Sequence, residues 1–257
     1  MARSVPWSSA LVTGASSGIG EAVVRSLAAA GTPTVVVARR AERLEALARE
    51  LPGIEVLPAD LLTGAGVAAV AERLADPARP VDLLVNNAGF GGSGSFHVDT
   101  EQRAVDMVRC NVEALVRLTH AALGAMVPRG RGWILQVSSV ASFQAAPSAA
   151  VYGATKAFVT SFTEAVHSEL RGTGVKVTAL CPGLTRTEFF DAAGSTPTTV
   201  GPGLVWLSAE EVARAGLRDV ARGRVLSVPG LPYKAMVTAS DLAPRSLVRR
   251  VAGFVRL

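Results

Sequence analysis

Thr13-Gly14-Ala15-Ser16-Ser17-Gly18-Ile19-Gly20 follows a short apolar run that begins at Ala10, and it opens straight into a helix-forming stretch from Gly18 to about Ala30. A strand that turns on glycines into a helix lets the backbone approach a pyrophosphate, whose charge meets free amides and the positive end of the helix. The spacing is Gly-x-x-x-Gly-x-Gly, a variant of the generic Gly-x-Gly-x-x-Gly of dinucleotide-binding turns. Glycine also ends strands and caps helices for structural reasons alone, so the weight of the motif comes from its place at the first strand-to-helix junction.

Outward from this turn the same alternation continues. Short β-rich runs at Ala10 to Thr13, Thr34 to Ala38, Glu55 to Pro58, Leu83 to Asn86, Trp133 to Val137, Lys176 to Leu180 and Arg224 to Val228 predict seven strands. Between them, helical patterns run from Gly18 to Ala30, Arg40 to Leu51, Gly64 to Ala75, Thr100 to Met126, Tyr152 to Arg171 and Ser208 to Arg222. This order predicts an α/β fold, a Rossmann-like, doubly wound parallel sheet of seven strands in a single domain over residues 1–257. The small, polar stretch Asp191 to Gly203 interrupts the alternation after the sixth strand and reads as part of a substrate loop over about residues 184–203. A mobile loop without a role is the plainer reading of the same composition.

The end of the second strand sets nucleotide choice in such folds, because an acidic residue there accepts from the ribose 2′-hydroxyl and repels a 2′-phosphate. Here Arg39 and Arg40 stand at that place. A guanidinium offers a fixed fork of donors suited to phosphate, which points to NADP(H); both arginines would equally begin a solvated helix face. Asp60 and Leu61 after the third strand, and Asn87, Ala88 and Gly89 after the fourth, repeat the pattern of small or polar residues at strand ends, where turns are also favoured.

Tyr152 and Lys156 lie four residues apart in a predicted helix and share a face. A nearby ammonium favours a phenolate and lowers a tyrosine pKa from ~10, which suits general acid/base work. Tyr-x-x-x-Lys is common as a packed tyrosine beside a solvated lysine, but this chain has only two tyrosines and three lysines. Ser138 and Ser139 end the fifth strand at the same sheet edge, where a hydroxyl can hold a substrate oxygen.

The chain of 257 residues carries a net charge of +5 and is 49% hydrophobic and 18% charged, which excludes a disordered protein. Its arginines are mostly scattered, and no basic and aromatic platform supports a nucleic-acid partner. Cys110 and Cys181 are too few for a disulfide framework or zinc site, and His97, His120 and His167 lack metal-ligand spacing, so no metal is expected. No secretory leader or membrane span is expected, which points to a cytoplasmic protein. A C-terminal helical tail over about residues 241–257 mixes arginines with apolar residues and is expected to pack on a neighbouring subunit, with covering the substrate cleft or lying weakly on a membrane surface as the alternatives.

Taken together, TGASSGIG, NNAG, the serine of VSS, YGATK and CPGLTRT resemble the short-chain dehydrogenase/reductase family over about residues 8–230, and the ordered conjunction is specific. The resemblance implies strand order 3-2-1-4-5-6-7 and a catalytic tetrad of Asn111, Ser139, Tyr152 and Lys156. It implies Tyr152 as proton donor or acceptor, Lys156 as ligand of the nicotinamide ribose that lowers the Tyr152 pKa, Ser139 as ligand of the substrate oxygen, and Asn111 as support for a water relay. It places Gly14, Ser16, Ser17, Gly18, Ile19 and Gly20 on the cofactor phosphates, Pro182 and Gly183 beside the nicotinamide with Thr185, and Thr187 on its carboxamide. Arg39 occupies the position that is acidic in NAD-preferring relatives, while Ser17 stands where some NADP-preferring relatives carry a base. A homodimer or homotetramer through the helices of Asn111 and Tyr152 is also implied.

The expected function is NADP(H)-dependent interconversion of a carbonyl and an alcohol on a small, apolar substrate, with Tyr152 as general acid/base. An NADP(H)-binding sensor or scaffold without turnover is the alternative. The substrate pocket is expected from Ser93 to Phe96, Phe143 to Ala146, the loop and the tail, whose lining is apolar and lightly charged.

Overall fold

The inner strand runs are apolar without alternation because both faces of those strands are buried, as a parallel sheet between two helical layers requires, while the edge run Ile54–Pro58 is only partly buried. The computed structural model describes residues 5–189 and 206–243. Its elements are β1 (Ala10–Thr13), α1 (Gly18–Ala29), β2 (Thr34–Ala38), α2 (Ala41–Glu50), β3 (Ile54–Pro58), α3 (Gly64–Ala75), β4 (Leu83–Asn86) and α4 (Glu101–Val108). A π-type stretch, Arg109–Ala114, joins α4 to α5 (Leu115–Met126), and β5 (Gly132–Val137), a 3₁₀ turn (Val140–Phe143), α6 (Ala150–Glu169) and β6 (Val175–Leu180) follow. The remainder comprises β7 (Thr185–Arg186), β8 (Leu207–Ser208), α7 (Ala209–Ala221), β9 (Leu226–Ser227) and α8 (Leu231–Leu242).

Seven strands form one parallel sheet in the order β3-β2-β1-β4-β5-β6-β9, as expected, while β7 and β8 pair as a small separate ribbon. Alternate residues feed opposite layers. Val12, Val36, Val85, Leu135 and Leu180 pack with α1, α2 and α7, whereas Leu11, Val35, Leu84, Ile134 and Val177 pack with α3, α5 and α6. Helix starts are fixed locally. Thr63 and Thr100 accept from the backbone of Gly66 and Arg103, and Ser208 with Glu211 forms a reciprocal capping box.

Three expectations need correction. The long helix from Thr100 to Met126 is not uniformly α-helical, because six residues around Asn111 widen into the π-type stretch. The last strand shortens to two residues at the sheet edge. The C-terminal helix begins at Leu231, ten residues earlier than expected, where Gly230 at φ +85° turns the chain and Pro232 occupies the first turn. Residues 244–257 and 190–205 lie outside the described residues, and with them most of the expected tail and loop.

Candidate active site

The strand order reverses between β1 and β4, and a cavity of about 900 Å3 opens at the carboxyl ends of the sheet there. Gly14 and Gly18 adopt φ of +64° and +59°, in the left-handed region that favours glycine. Thr13 and Asn87 weld the reversal point. Thr13 Oγ1 accepts from the amides of Asn87 and Ala88 at 3.0 Å, and Asn87 Nδ2 donates to the carbonyls of Thr13 and Gly14 at 3.0 and 3.1 Å. Gly14, Ser16, Ser17, Gly18 and Ile19 line the cavity from the turn, Arg39 and Arg40 from the end of β2, and Asp60 and Leu61 from the end of β3. Asn87, Ala88 and Gly89 line it from the end of β4, and Pro182, Gly183, Thr185 and Thr187 from beyond β6.

Two expected site residues, Gly20 from the glycine turn and Asn111 from the tetrad, do not line the cavity. Gly20 does not line the cavity; a Cβ there would overlap the Gly14 carbonyl and the Asn87 amide, so its role is close packing of α1 on the turn. Asn111 sits behind Gly89, with Oδ1 accepting from Phe90 N at 3.1 Å and Nδ2 donating to Phe90 O at 3.0 Å and Thr155 Oγ1 at 3.1 Å. Its side chain therefore fixes the chain beside the cavity and does not face into it.

Ser139, Tyr152 and Lys156 share one wall. Ser139 Oγ accepts from Ala141 N at 3.1 Å, which leaves its own proton to donate. Lys156 is buried on the inner face of α6, donates to Val137 O at 2.8 Å, and lies 5.7 Å from the centre of the Tyr152 ring. Ser138 ties α6 to β5 through Lys156 O and Thr160 Oγ1. Burial pushes the Lys156 ammonium down to about 8 and the Tyr152 phenol up to about 12, against the lowering effect of Ser139. Desolvation outweighs the lowering effect of Ser139, and the phenol keeps its proton at neutral pH.

Arg39 and Arg40 differ in engagement. Arg39 is exposed and has no hydrogen-bond or ion-pair partner among the described residues, whereas Arg40 Nη2 donates to Ser16 Oγ and Ser17 Oγ, each at 3.0 Å. Of the expected substrate pocket, Ser93, Gln144 and Leu184 line the cavity, while Phe96 stands exposed outside it. Helix α8 supplies a wall that sequence reasoning missed: Tyr233, Met236, Ala239 and Ser240 face the cavity with Ala243 just beyond the helix end. Tyr233 is buried on Gly183 and accepts from Leu184 N at 3.1 Å. The i, i+3, i+6, i+7 spacing of these residues was the available signal. Cys110 and Cys181 are free thiols, and burial pushes each up to about 11.

A dinucleotide-sized cavity, a glycine turn at a helix start and an unpaired guanidinium at the end of β2 fit a phosphorylated dinucleotide. The chain belongs to the short chain dehydrogenase family, whose pattern it matches over residues 8–197, and it is accordingly an oxidoreductase. It is 40% identical over 184 residues to the sulfoacetaldehyde reductase of Chromohalobacter salexigens, covering 69% of this chain and 72% of that one. The solved short-chain dehydrogenase from Sphingobium yanoikuyae in complex with NADPH is 36% identical, with TM-score 0.84 over 93% of this chain and 94% of that chain. The bulky-bulky ketone specific alcohol dehydrogenase from Comamonas testosteroni is 32% identical, with TM-score 0.77 over 91% and 92%.

Proposed function

We propose that the protein uses NADP(H) to interconvert a ketone or aldehyde and its alcohol, acting on a small, uncharged and largely apolar substrate. Bound NADPH supplies the hydride to the carbonyl carbon. Ser139 donates a hydrogen bond to the carbonyl oxygen and orients it while keeping its own proton, and Tyr152, protonated at neutral pH, transfers to that oxygen the one proton that completes the alcohol. Lys156 holds positive charge beside the tyrosine as the phenolate develops, and Asn111 holds the Phe90 backbone that borders the site. Alcohol oxidation runs the same proton transfer backwards.

The observation that carries the substrate class is the distribution of charge. Among the described residues, the charged side chains lining the cavity are Arg39, Arg40, Asp60, Lys156 and Glu188. The first three belong to the strand ends expected to hold the adenosine, Glu188 pairs with Arg40 and Arg43, and Lys156 stands behind Tyr152. The walls around Ser139 and Tyr152 present Phe90, Val140, Phe189, Met236 and Ala239, with the neutral amide of Gln144. Among the described residues these walls offer an anionic substrate no counter-ion, and burying it there unpaired would cost several kcal/mol. The stretch 190–205 contains no lysine or arginine, whereas Arg245, Arg249, Arg250 and Arg256 of the tail lie outside the described residues. The named activity of the Comamonas relative on bulky ketones agrees with this lining better than sulfoacetaldehyde, whose sulfonate would need a cation.

No helix among the described residues is long and apolar enough to cross a membrane. Exposed Val105, Val108 and the stacked Phe158 and Phe162 on α4 and α6 support a second copy of the chain as partner. The function is tested by following NADPH oxidation with neutral aryl ketones and with sulfoacetaldehyde. The expected result is turnover of the neutral ketones, and loss of about 10²- to 10⁴-fold in Tyr152→Phe with NADPH binding retained. Wild-type rates in that variant would remove Tyr152 from the chemistry, and a preference for the sulfonate would remove the neutral-substrate reading.

A further inference from the structure

Residues 185–189 reach across the cavity, and the last three are each held by a different wall. Thr187 stands against the glycine turn, where a Cβ on Gly18 would lie 3.1 Å from Thr187 Cβ. Glu188 accepts from Arg43 Nη1 at 2.8 and 3.0 Å and from Arg40 Nη1 at 3.3 Å. The Phe189 ring lies 5.4 Å from that of Tyr152, and a Cβ on Gly91 would come within 2.7 Å of it. One short segment thus touches the phosphate turn, the start of α2 and the proton-transferring tyrosine. Arg40 is also tied to that turn through Ser16 and Ser17, while Arg43 lies outside the cavity wall and has Glu188 as its carboxylate partner among the described residues.

We propose that Glu188 is a positioning residue that fastens this segment as a strap across bound NADP(H), and that its ion pairs with Arg40 and Arg43 must open for the cofactor to leave. The inference rests on the cofactor occupying this cavity. The pairs are half exposed, with side-chain exposures of 40 to 52%, so each is weak and salt-screened, which suits a fastener that opens in every cycle. A different account is available for the same three residues: the carboxylate merely dilutes the attraction of two guanidiniums for phosphate. The two accounts differ in sign. If only the field matters, removing Glu188 slows NADPH release and removing Arg43 speeds it. If the strap matters, both changes speed it.

The test is the NADPH dissociation rate, read by stopped-flow fluorescence on the full-length protein, for wild type, Glu188→Gln, Arg43→Gln and the double variant. Both single variants are expected to release NADPH about threefold to tenfold faster, the loss expected from one or two half-exposed ion pairs. The double variant should be no faster than Glu188→Gln, which alone already removes both pairs, whereas Arg43→Gln leaves the pair with Arg40 in place. Glu188→Asp, one methylene shorter, should fall between wild type and Glu188→Gln, and the variant-to-wild-type ratio should approach one at high salt. Unchanged release, slower release in Glu188→Gln, or additive effects in the double variant would overturn the strap while leaving the cofactor reading intact. Failure of the wild type to bind NADPH would overturn both.

Discussion

Replacing Lys156 by methionine should make the protein more stable and less active. The ammonium is buried on α6 and its pKa falls from 10.5 to about 8. At about 1.36 kcal/mol per unit, burying the charged form costs about 3 kcal/mol of folding free energy at pH 7. Methionine has similar length and no charge, so it removes this cost, but it leaves Val137 O without the donor now 2.8 Å away, a loss of about 1 to 2 kcal/mol. The net gain is about 1 to 2 kcal/mol, or a rise of roughly 3 to 6 °C in Tm for a chain of this size. The sign depends on pH. Between pH 8 and 10.5 the unfolded chain holds the lysine proton and the native protein does not, so wild-type stability from this group rises with pH through that window. Above 10.5 the charge cost is gone and the variant keeps only the lost hydrogen bond. Urea unfolding of both proteins at pH 7 and pH 10 isolates the lysine, since the other titrating groups are shared. A stability difference that stays constant between the two pH values would refute the argument that burial of this charge dominates.

Three further outcomes are expected. Arg39→Asp should lower the preference for NADPH over NADH by about 10- to 100-fold in Kd, the scale of a lost charge-assisted hydrogen bond set; an unchanged ratio would mean that the 2′-phosphate is read elsewhere. Gly183→Ala places a Cβ into the ring of Tyr233 and should destabilise the protein by about 1 to 3 kcal/mol in urea unfolding, with Tyr233→Ala in the same chain recovering part of the overlap cost. Ala239→Phe fills the α8 wall and should reduce kcat/KM for bulky aryl ketones by more than tenfold while sparing small aldehydes. Equal losses on both substrate sets would place Ala239 outside the pocket that binds the larger group.

The strand positions were readable because each apolar run is short and, apart from the second, which ends at Arg39 and Arg40, soon meets Gly, Asn, Asp, Ser or Pro, residues that stop pairing for reasons of local backbone chemistry. The glycine turn, the paired serines and the Tyr152–Lys156 spacing could be assigned to one sheet edge for the same reason: in a parallel sheet all carboxyl ends lie together. Other features depend on distances that no local pattern encodes. Glu188 meets Arg43 across 145 residues of chain, and nothing near either residue announces the pairing. The balance of charge and burial at Tyr152 depends on how completely the walls enclose it. Helix α8 begins directly after Gly230 with Pro232 in its first turn, residue types that favour loops as much as helix starts, so its early beginning carried no distinct local signal. Gly20 carried the expected residue type for a ligand contact, yet only the packing of α1 on the turn tells a phosphate neighbour from a close backbone approach.

An ordinary helix transmits rotational phase from end to end, so that re-aiming one turn re-aims every turn beyond it. The widened stretch at Arg109–Ala114 interrupts that transmission. On its far side, Leu115, Leu118, Ala122 and Met126 remain seated on the sheet core, whatever the angle of the two turns of α4 on its near side. The break therefore acts as a mechanical insulator. Insertions or tilts in the chain between β4 and α4, where the substrate side of the cavity begins, can be absorbed without rotating α5 off the core, and relatives of this protein can diversify that entrance without renegotiating the layer beneath it.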